Sequence, residues 1–276
     1  MLKKRLIFTL LYSAGSFMLS RNFRLQTVGN LEWLQRNYDF SYISYSIDEL
    51  VVIDVTQEKK NLDEFCEVLK LLTFNNFVPI TAGGGVRNID SARKLLRSGA
   101  DKILINSGLF EPGNLAGQLA EEFGQQCIVG SVDLKRSKSG ELQVWTRDGT
   151  VLNKSRAIDL LAKVLSENVG EIYLNSIDRD GTGQGFDFEI LELLPIKVNK
   201  PLILAGGAGN SDHLLHGLKD SRIDAVATAN LFNFVRDGLY KARQELVANG
   251  VVLPIWDLQF SKIEKATRPG SSGLDA

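Results

Sequence analysis

Two glycine-rich runs, at 82–86 and 205–209, have the composition of anion-binding turns. Each follows a short apolar segment, and the second lies 123 positions after the first. Backbone N–H groups in such a turn can converge on a phosphate, because glycine has no side chain to block the approach. A helix that begins after the run adds the positive end of its dipole. The pair therefore predicts two phosphate sites, with ordinary tight turns as the alternative.

An asparagine ends the apolar segment that follows each glycine run, and the two asparagines lie 124 positions apart. They are candidates to complete the two sites, which together would suit a ligand with a phosphate at each end. The predicted phosphate-binding residues are Gly83, Gly84, Gly85, Asn106 and Ser107 in the first half, and Gly206, Gly207, Gly209 and Asn230 in the second.

Asp133 is the predicted catalytic residue, because it closes the apolar segment 127–133. Carboxylates at the ends of barrel strands are frequent general acids and bases, although a carboxylate there can also cap a local N–H group. The repeat interval leads back from Asp133 to Leu11. The sequence therefore lacks a second carboxylate at the equivalent position of the first half.

Charged residues begin four of the apolar segments: Arg5, Glu49, Lys102 and Glu171. The two glutamates are repeat mates, 122 positions apart. Because the starts of barrel strands converge on one face, two cations and two anions can form a neutral ring there. Such a ring is either a stabilising ion network or the gated mouth of a pore.

A polar loop at 176–185 offers Asp178, Asp180, Gly181 and Thr182 to a polar ligand. We expect this loop to fold over a phosphorylated small molecule. A calcium loop is the runner-up, but the spacing lacks the closing glutamate of an EF-hand. A loop that only faces solvent is the third option.

Alternating strands and helices must position these residues. Short β-branched segments predict eight strands, at Arg5–Leu11, Glu49–Val55, Val78–Ala82, Lys102–Asn106, Cys127–Asp133, Glu171–Ser176, Leu202–Ala205 and Ala225–Thr228. Amphipathic segments predict helices at Leu62–Leu72, Asp90–Ser98, Asn114–Phe123, Ser155–Ser166, Phe188–Leu194, Ser211–Leu218 and Leu231–Val247. This order fits a closed (β/α)₈ TIM barrel, and the two-fold repeat favours the barrel over a doubly wound open sheet.

Composition and charge are ordinary for a globular protein: 44% hydrophobic residues, 24% charged residues and a net charge of −1. We therefore expect no nucleic-acid or membrane partner. Cys66 and Cys127 indicate reduced thiols, and no metal-ligand spacing occurs, so no metal or cofactor is expected. The basic and apolar start at 3–11 is either a signal peptide or a buried first strand.

The sequence resembles the cyclase subunit of imidazole glycerol phosphate synthase from residue 1 to about residue 258. The shared motifs lie at 2–5, 48–54, 83–85, 99–102, 176–182 and 206–209. The resemblance implies one barrel at 1–258 made of duplicated half-barrels, at about 1–123 and 124–258, with a polar tail at 259–276. It makes segment 5–11 a first strand rather than a signal peptide, and we expect a cytoplasmic protein.

The resemblance also implies a heterodimer with a glutaminase, which Asp101 would face. Ammonia would pass the ring of four charged residues, which the resemblance makes a gate, and cross the barrel. At the opposite end it would react with a bis-phosphorylated ribulosyl aminoimidazole, giving imidazole glycerol phosphate and a carboxamide ribonucleotide.

Two departures from the family pattern change this expectation. Leu11 stands where the family has the first of two catalytic aspartates, and Leu19 stands where it has a lysine. Loss of a general acid or base typically costs on the order of 10² to 10⁴ in rate. The pattern is similar to a divergent branch that supplies ammonia to a separate sugar amidotransferase, which converts an acetamido sugar to an acetamidino sugar for surface polysaccharide.

Three functions therefore stay open. The first is ammonia supply for amidination of a nucleotide-activated sugar. The second is a histidine-pathway cyclase in which Asp54 or Asp178 replaces the missing base. The third is a non-catalytic subunit that activates the glutaminase.

Overall fold

Eight parallel strands close a barrel, as the sequence predicts. The computed structural model describes residues 3–38, 43–74, 76–230, 233–234 and 237–254, so the expected tail at 259–276 lies outside the described residues. In chain order the strands are β1 (Arg5–Ser13), β2 (Ser16–Arg21), β3 (Arg24–Gly29), β4 (Glu49–Asp54), β5 (Ile80–Gly83), β6 (Lys102–Ile105), β7 (Ile128–Arg136), β8 (Leu142–Thr146), β9 (Val151–Leu152), β10 (Glu171–Ser176), β11 (Leu202–Ala205) and β12 (Ala225–Thr228).

The barrel runs β1-β4-β5-β6-β7-β10-β11-β12, and β12 pairs with β1 to close it. Every neighbouring pair in this circle is parallel. The doubly wound alternative is therefore wrong. Segment 5–11 lies within β1 and pairs on both sides, as expected of a first barrel strand.

Helices cover the outside of the barrel: α1 (Leu31–Asn37), α2 (Leu62–Thr73), α3 (Ile89–Arg97), α4 (Leu115–Phe123), α5 (Ala157–Ser166), α6 (Ser211–Lys219) and α7 (Gly238–Ala248). Short 3₁₀ helices lie at Ser107–Leu109, Gln125–Cys127 and Phe188–Leu193, the last where the sequence predicts an α-helix. The predicted helix at 231–247 begins partly outside the described residues. Asn88 and Asn210 cap the helices that follow the two glycine runs, each through a side-chain oxygen that accepts a backbone N–H.

Two antiparallel hairpins extend the barrel at matched points of the repeat, and the sequence patterns do not predict them. Strand β1 continues into β2 and β3, with Leu11 beside Met18. Strand β7 continues into β8 and β9, with Asp133 beside Trp145. A hairpin thus follows the first strand of each expected half-barrel.

Alternate residues of each barrel strand face opposite sides. The outward residues join the helices in one large apolar core, which includes Leu6, Phe8 and Leu10 of β1. A smaller cluster fills the inside of the barrel: Ile7, Val51, Leu104, Val129, Tyr173, Ile203, Ala205, Ala225 and Ala227. Polar groups are concentrated at the two ends of this interior.

Candidate functional site

A closed ring of four charged side chains lies where the barrel strands begin. Arg5 donates to Glu49 at 2.9 Å and to Glu171 at 2.7 Å. Lys102 lies 3.0 Å from Glu49 and 2.8 Å from Glu171. The hydroxyl of Thr81 also donates to Glu49, at 2.5 Å. The structure therefore brings all four predicted ring residues together, and each cation contacts both anions.

The ring is partly shielded from water, which strengthens its electrostatics. Glu49 is 2% exposed, and the other three side chains are 13–21% exposed. For Glu171, burial opposes ionisation, but the hydrogen bond from Arg5 and the charges of Arg5 and Lys102 outweigh it and lower its pKa. The ring contains two basic and two acidic side chains, and a molecule entering here must displace their salt bridges.

The opposite end of the barrel holds a cavity of about 390 Å³. Both glycine runs reach it, through Gly84 and Gly85 from the first and through Gly206 and Gly207 from the second. Of the other predicted phosphate residues, Asn106, Ser107 and Asn230 also line the cavity. One cavity therefore joins the predicted phosphate sites of both halves.

Two of the predicted glycines do not line this cavity. Gly83 lies within β5, and a Cβ atom there would lie 2.6 Å from the Leu104 carbonyl oxygen. The N–H of Gly209 is donated to His213 Nδ1 at 3.2 Å. Close packing is a sufficient reason for glycine at position 83. At position 209, a side-chain nitrogen accepts the N–H expected to bind phosphate.

Asp133 lies on the cavity wall, 8% exposed and held by two amides. The side-chain N–H groups of Asn106 and Asn175 donate to its two carboxylate oxygens, at 3.0 Å and 3.2 Å. Burial raises its pKa to about 7, against the hydrogen bond from Asn175 and with help from the negative charges of Asp148 and Asp180. A carboxyl group that titrates near neutral pH can both accept and donate a proton there.

The cavity wall that corresponds to Asp133 in the first half is apolar. Leu11 and Leu19 both line the cavity. Of the two carboxylates considered as substitute bases, Asp54 accepts the backbone N–H of Thr56 at 2.9 Å, and Asp178 accepts that of Arg136 at 2.6 Å. Both are absent from the cavity lining.

The β2–β3 hairpin forms a wall of the cavity and is tied to the polar loop that follows β10. Asp180 accepts hydrogen bonds from the Ser20 hydroxyl and, at 3.1 Å, from the Phe23 N–H. Gly181 has a φ of +65°, and a Cβ atom there would lie 1.8 Å from the Ser20 carbonyl oxygen. These two predicted loop residues reach the cavity, whereas Thr182 bonds to the carbonyl of Arg179 and does not.

Several cavity residues escaped sequence reasoning. Lys60, Arg87 and Arg147 also line the cavity, and nothing in the sequence separates them from surface cations. The sequence could have predicted that Asn175 faces the barrel interior, because it lies four residues after Glu171 and therefore on the same face of the strand.

The face that carries the ring also carries exposed apolar side chains. Phe74, Phe77 and Ile196 are 86%, 49% and 107% exposed, in turns that precede barrel strands. Asp101, on the same face, is exposed and accepts the N–H of Ile80 at 2.8 Å. Its repeat mate Asp224 accepts the N–H of Leu202 at 2.9 Å, so this contact has a structural role in both halves.

Among the described residues, no group of three or more histidine, cysteine or acidic side chains is placed to hold a metal ion. Within the same residues, no helix has both the length and the apolar character needed to cross a membrane.

The chain is similar in sequence to known proteins over most of its length. A family model described as "Histidine biosynthesis protein" matches residues 37–236. A protein of Parasynechococcus marenigrum (strain WH8102), named "Putative imidazole glycerol phosphate synthase subunit hisF2", is 41% identical over 269 residues, 97% of this chain and 100% of that protein. "Imidazole glycerol phosphate synthase subunit HisF" of Dictyoglomus turgidum (strain DSM 6724 / Z-1310) is 36% identical over 227 residues, 82% of this chain and 88% of that protein.

Proposed function

Because the chain belongs to the histidine biosynthesis protein family and is similar to its cyclase subunits, we propose that it receives ammonia through its barrel from a glutaminase partner. The ammonia is then used for amidination of a nucleotide-activated sugar in surface polysaccharide synthesis. One observation carries the choice within the family: Asp133 faces the cavity, whereas its repeat mate is Leu11.

The glutaminase is proposed to dock on the face where the strands begin. Phe74, Phe77 and Ile196 are exposed apolar side chains on this face. A stable complex buries apolar surface at its centre, and these side chains would provide that surface. The name "subunit" on both relatives supports an assembly of this kind. Ammonia released at this face would meet Arg5, Glu49, Lys102 and Glu171 first.

The cavity at the other end is proposed to bind a phosphorylated small molecule. Gly84 and Gly207 have φ values of +104° and +109°, and each glycine run is followed by a capped helix N-terminus. A ligand with two phosphates would span the cavity between the two runs. Leu11 and Leu19 would then border the middle of this ligand, at the positions where the resemblance places an aspartate and a lysine in a cyclase of ordinary sequence.

Because Leu11 and Leu19 give this part of the cavity wall no acid–base group, we expect the cyclase activity to be weak. Of the carboxylates that line the cavity, Asp133 ends a barrel strand, whereas Asp180 accepts hydrogen bonds from the β2–β3 hairpin and Asp148 lies 3.6 Å from Lys60. Asp54 and Asp178, the two carboxylates considered as substitute bases, do not line the cavity. The sugar branch is favoured because it needs the ring and the partner, and it does not need the second carboxylate.

Turnover of the bis-phosphorylated ribulosyl aminoimidazole with saturating ammonium salt at high pH tests this proposal. We expect at least about 100-fold less turnover than the Dictyoglomus turgidum relative gives in the same assay. Turnover equal to that of the relative would establish the histidine-pathway cyclase instead. That second candidate is favoured by one observation, the pKa of Asp133 near 7.

The gate is tested in the complex with a glutaminase, a sugar amidotransferase and a nucleotide-activated acetamido sugar. We expect Arg5→Ala and Lys102→Ala to reduce glutamine-dependent amidination while leaving ammonium-dependent amidination intact. Arg36→Ala is the matched control, because Arg36 is exposed and, in the part of the chain that the structure describes, forms its ion pair with Glu32 of the same helix. Hydrolysis without amidination in the unmodified complex would favour a subunit that only activates the glutaminase.

A further inference from the structure

Strand β10 places a line of polar side chains through the barrel interior. Glu171 belongs to the ring, Tyr173 belongs to the interior cluster, and Asn175 binds Asp133. These residues alternate along one strand, so they share its inward face at steps of roughly 7 Å. Apart from Tyr173, the interior cluster consists of aliphatic side chains.

The hydroxyl of Tyr173 meets that of Thr9 across the interior, at 3.2 Å. Thr9 is 2% exposed and Tyr173 is 5% exposed, and both line the floor of the cavity. Neither side chain makes another hydrogen bond within the described residues. Two hydroxyl groups carry two hydrogens, and their mutual bond uses one, so one O–H donor and several lone pairs remain for a ligand.

We propose that Thr9 and Tyr173 form a binding station for neutral ammonia at the end of the cavity that faces the barrel interior. This inference rests on the proposed passage of ammonia through the barrel. Ammonia has one lone pair, which accepts the remaining O–H, and its N–H groups can donate to the other hydroxyl oxygen. The pair thus replaces water beside the aliphatic side chains of the interior cluster.

The station selects the neutral molecule over ammonium. Ammonium has no lone pair to accept an O–H, and a charge in this interior carries a large desolvation penalty. Ile7, Val129 and Leu104 belong to the same interior cluster as Tyr173, so a ligand that passes through the interior must be small. The ligand class is therefore a single small neutral hydrogen-bonding molecule.

Carbon-13 NMR of the full chain, labelled at the hydroxyl-bearing ring carbon of its six tyrosines, tests the station without any partner. The titrant is ammonia, at a pH above the pKa of ammonium. Burial raises the pKa of Tyr173, so its hydroxyl keeps its proton under these conditions. We expect a saturable shift of the Tyr173 resonance, which Tyr173→Phe identifies by removing it.

Tyr12 is the internal reference, because its hydroxyl is already bonded to Glu64 at 2.6 Å and to the N–H of Gly15 at 2.9 Å. Thr9→Val removes one partner and should weaken the apparent ammonia affinity about five- to tenfold. Thr9→Ser keeps the hydroxyl and should bind as the unmodified chain does. A Tyr173 shift that never saturates, that matches the shift of Tyr12 or that Thr9→Val leaves unchanged would overturn the station.

The result is independent of the partner assay described above. Saturable binding with no glutamine-dependent amidination would leave the station in place and reject the proposed passage. Efficient amidination with no response at Tyr173 would reject the station alone. In the coupled complex, Tyr173→Phe should lower glutamine-dependent amidination more than ammonium-dependent amidination at saturation.

Discussion

At the scale of single residues, burial raises the pKa of Asp133 and lowers the stability of the fold. The folded-state pKa is about 7, above the ordinary value of 3.8. The folded protein therefore binds this proton more tightly than the unfolded chain. Stability from Asp133 is present at low pH and is lost as pH rises from the ordinary value through about 7. Leu11, at the equivalent position of the first half, carries no such cost.

Asp133→Asn should therefore stabilise the protein while removing its acid–base group. At about pH 8 we expect the free energy of unfolding to rise by up to about 2 kcal/mol, because the variant buries no charge. At about pH 5 the difference should shrink, since the unmodified side chain is protonated in the folded state. Urea denaturation at both pH values measures this; an equal effect at both would contradict the raised pKa.

At the scale of elements, the glycine runs combine an unusual backbone with close packing. A Cβ atom on Gly207 would lie 2.1 Å from the Gly185 carbonyl oxygen, and its φ of +109° is unfavourable for other residues. Gly113 has a similar φ of +114°, but a Cβ atom there meets nothing within 4 Å. The two positions thus separate the cost of the backbone from that of the contact.

Gly207→Ala should be more destabilising than Gly113→Ala by about 1–3 kcal/mol. Both substitutions place alanine at an unfavourable positive φ, but only Gly207→Ala also creates a steric clash. Gly207→Ala should also weaken binding of inorganic phosphate, measured by calorimetry. Gly113→Ala should leave phosphate binding unchanged. Equal stability of the two variants would show that the turn at Gly207 relaxes without a measurable cost.

The β2–β3 hairpin is tied to the loop after β10 by the Asp180 carboxylate and by Asn22, which donates to the carbonyls of that loop. Asp180→Asn exchanges a charged acceptor for a neutral amide beside Ser20 and the Phe23 N–H. We expect trypsin to cleave at Arg21 and Arg24 several-fold faster in this variant. Asp212→Asn, at an exposed position in the first turn of α6, is the control. Unchanged cleavage would show that other contacts hold the hairpin.

The barrel was predictable because a parallel strand is buried on both faces and appears as a continuous apolar run. All eight barrel strands were found for this reason. The hairpins were missed because they stand beyond the barrel; β3, for example, has no buried residue to mark a period of two. Asp133 and the ring were found from their positions at strand ends, whereas the orientation of Asp178 depends on a contact with β7 that no local pattern encodes.

At the scale of the whole molecule, the ring connects strands from both expected half-barrels. Arg5, Glu49 and Lys102 belong to the expected half at 1–123, whereas Glu171 belongs to the half at 124–258. The halves also meet where β6 pairs with β7 and where β12 pairs with β1. Since Glu171 contacts both cations, its salt bridges join the halves at the face proposed for the partner.

A double-mutant cycle on Lys102 and Glu171 measures this connection. Removal of either charge, by Lys102→Met or Glu171→Gln, leaves the ring unbalanced, whereas the double variant restores neutrality. We expect a coupling free energy of about 1–2 kcal/mol from urea denaturation.

The Lys70–Glu67 pair is the matched control. Its N–O distance of 2.7 Å is close to the 2.8 Å of Lys102–Glu171, but both of its side chains are more than half exposed. Its coupling should stay below about 0.5 kcal/mol. Equal coupling in the two pairs would mean that partial burial adds nothing to the ring, which would then serve the passage of ammonia without strengthening the contact between the halves.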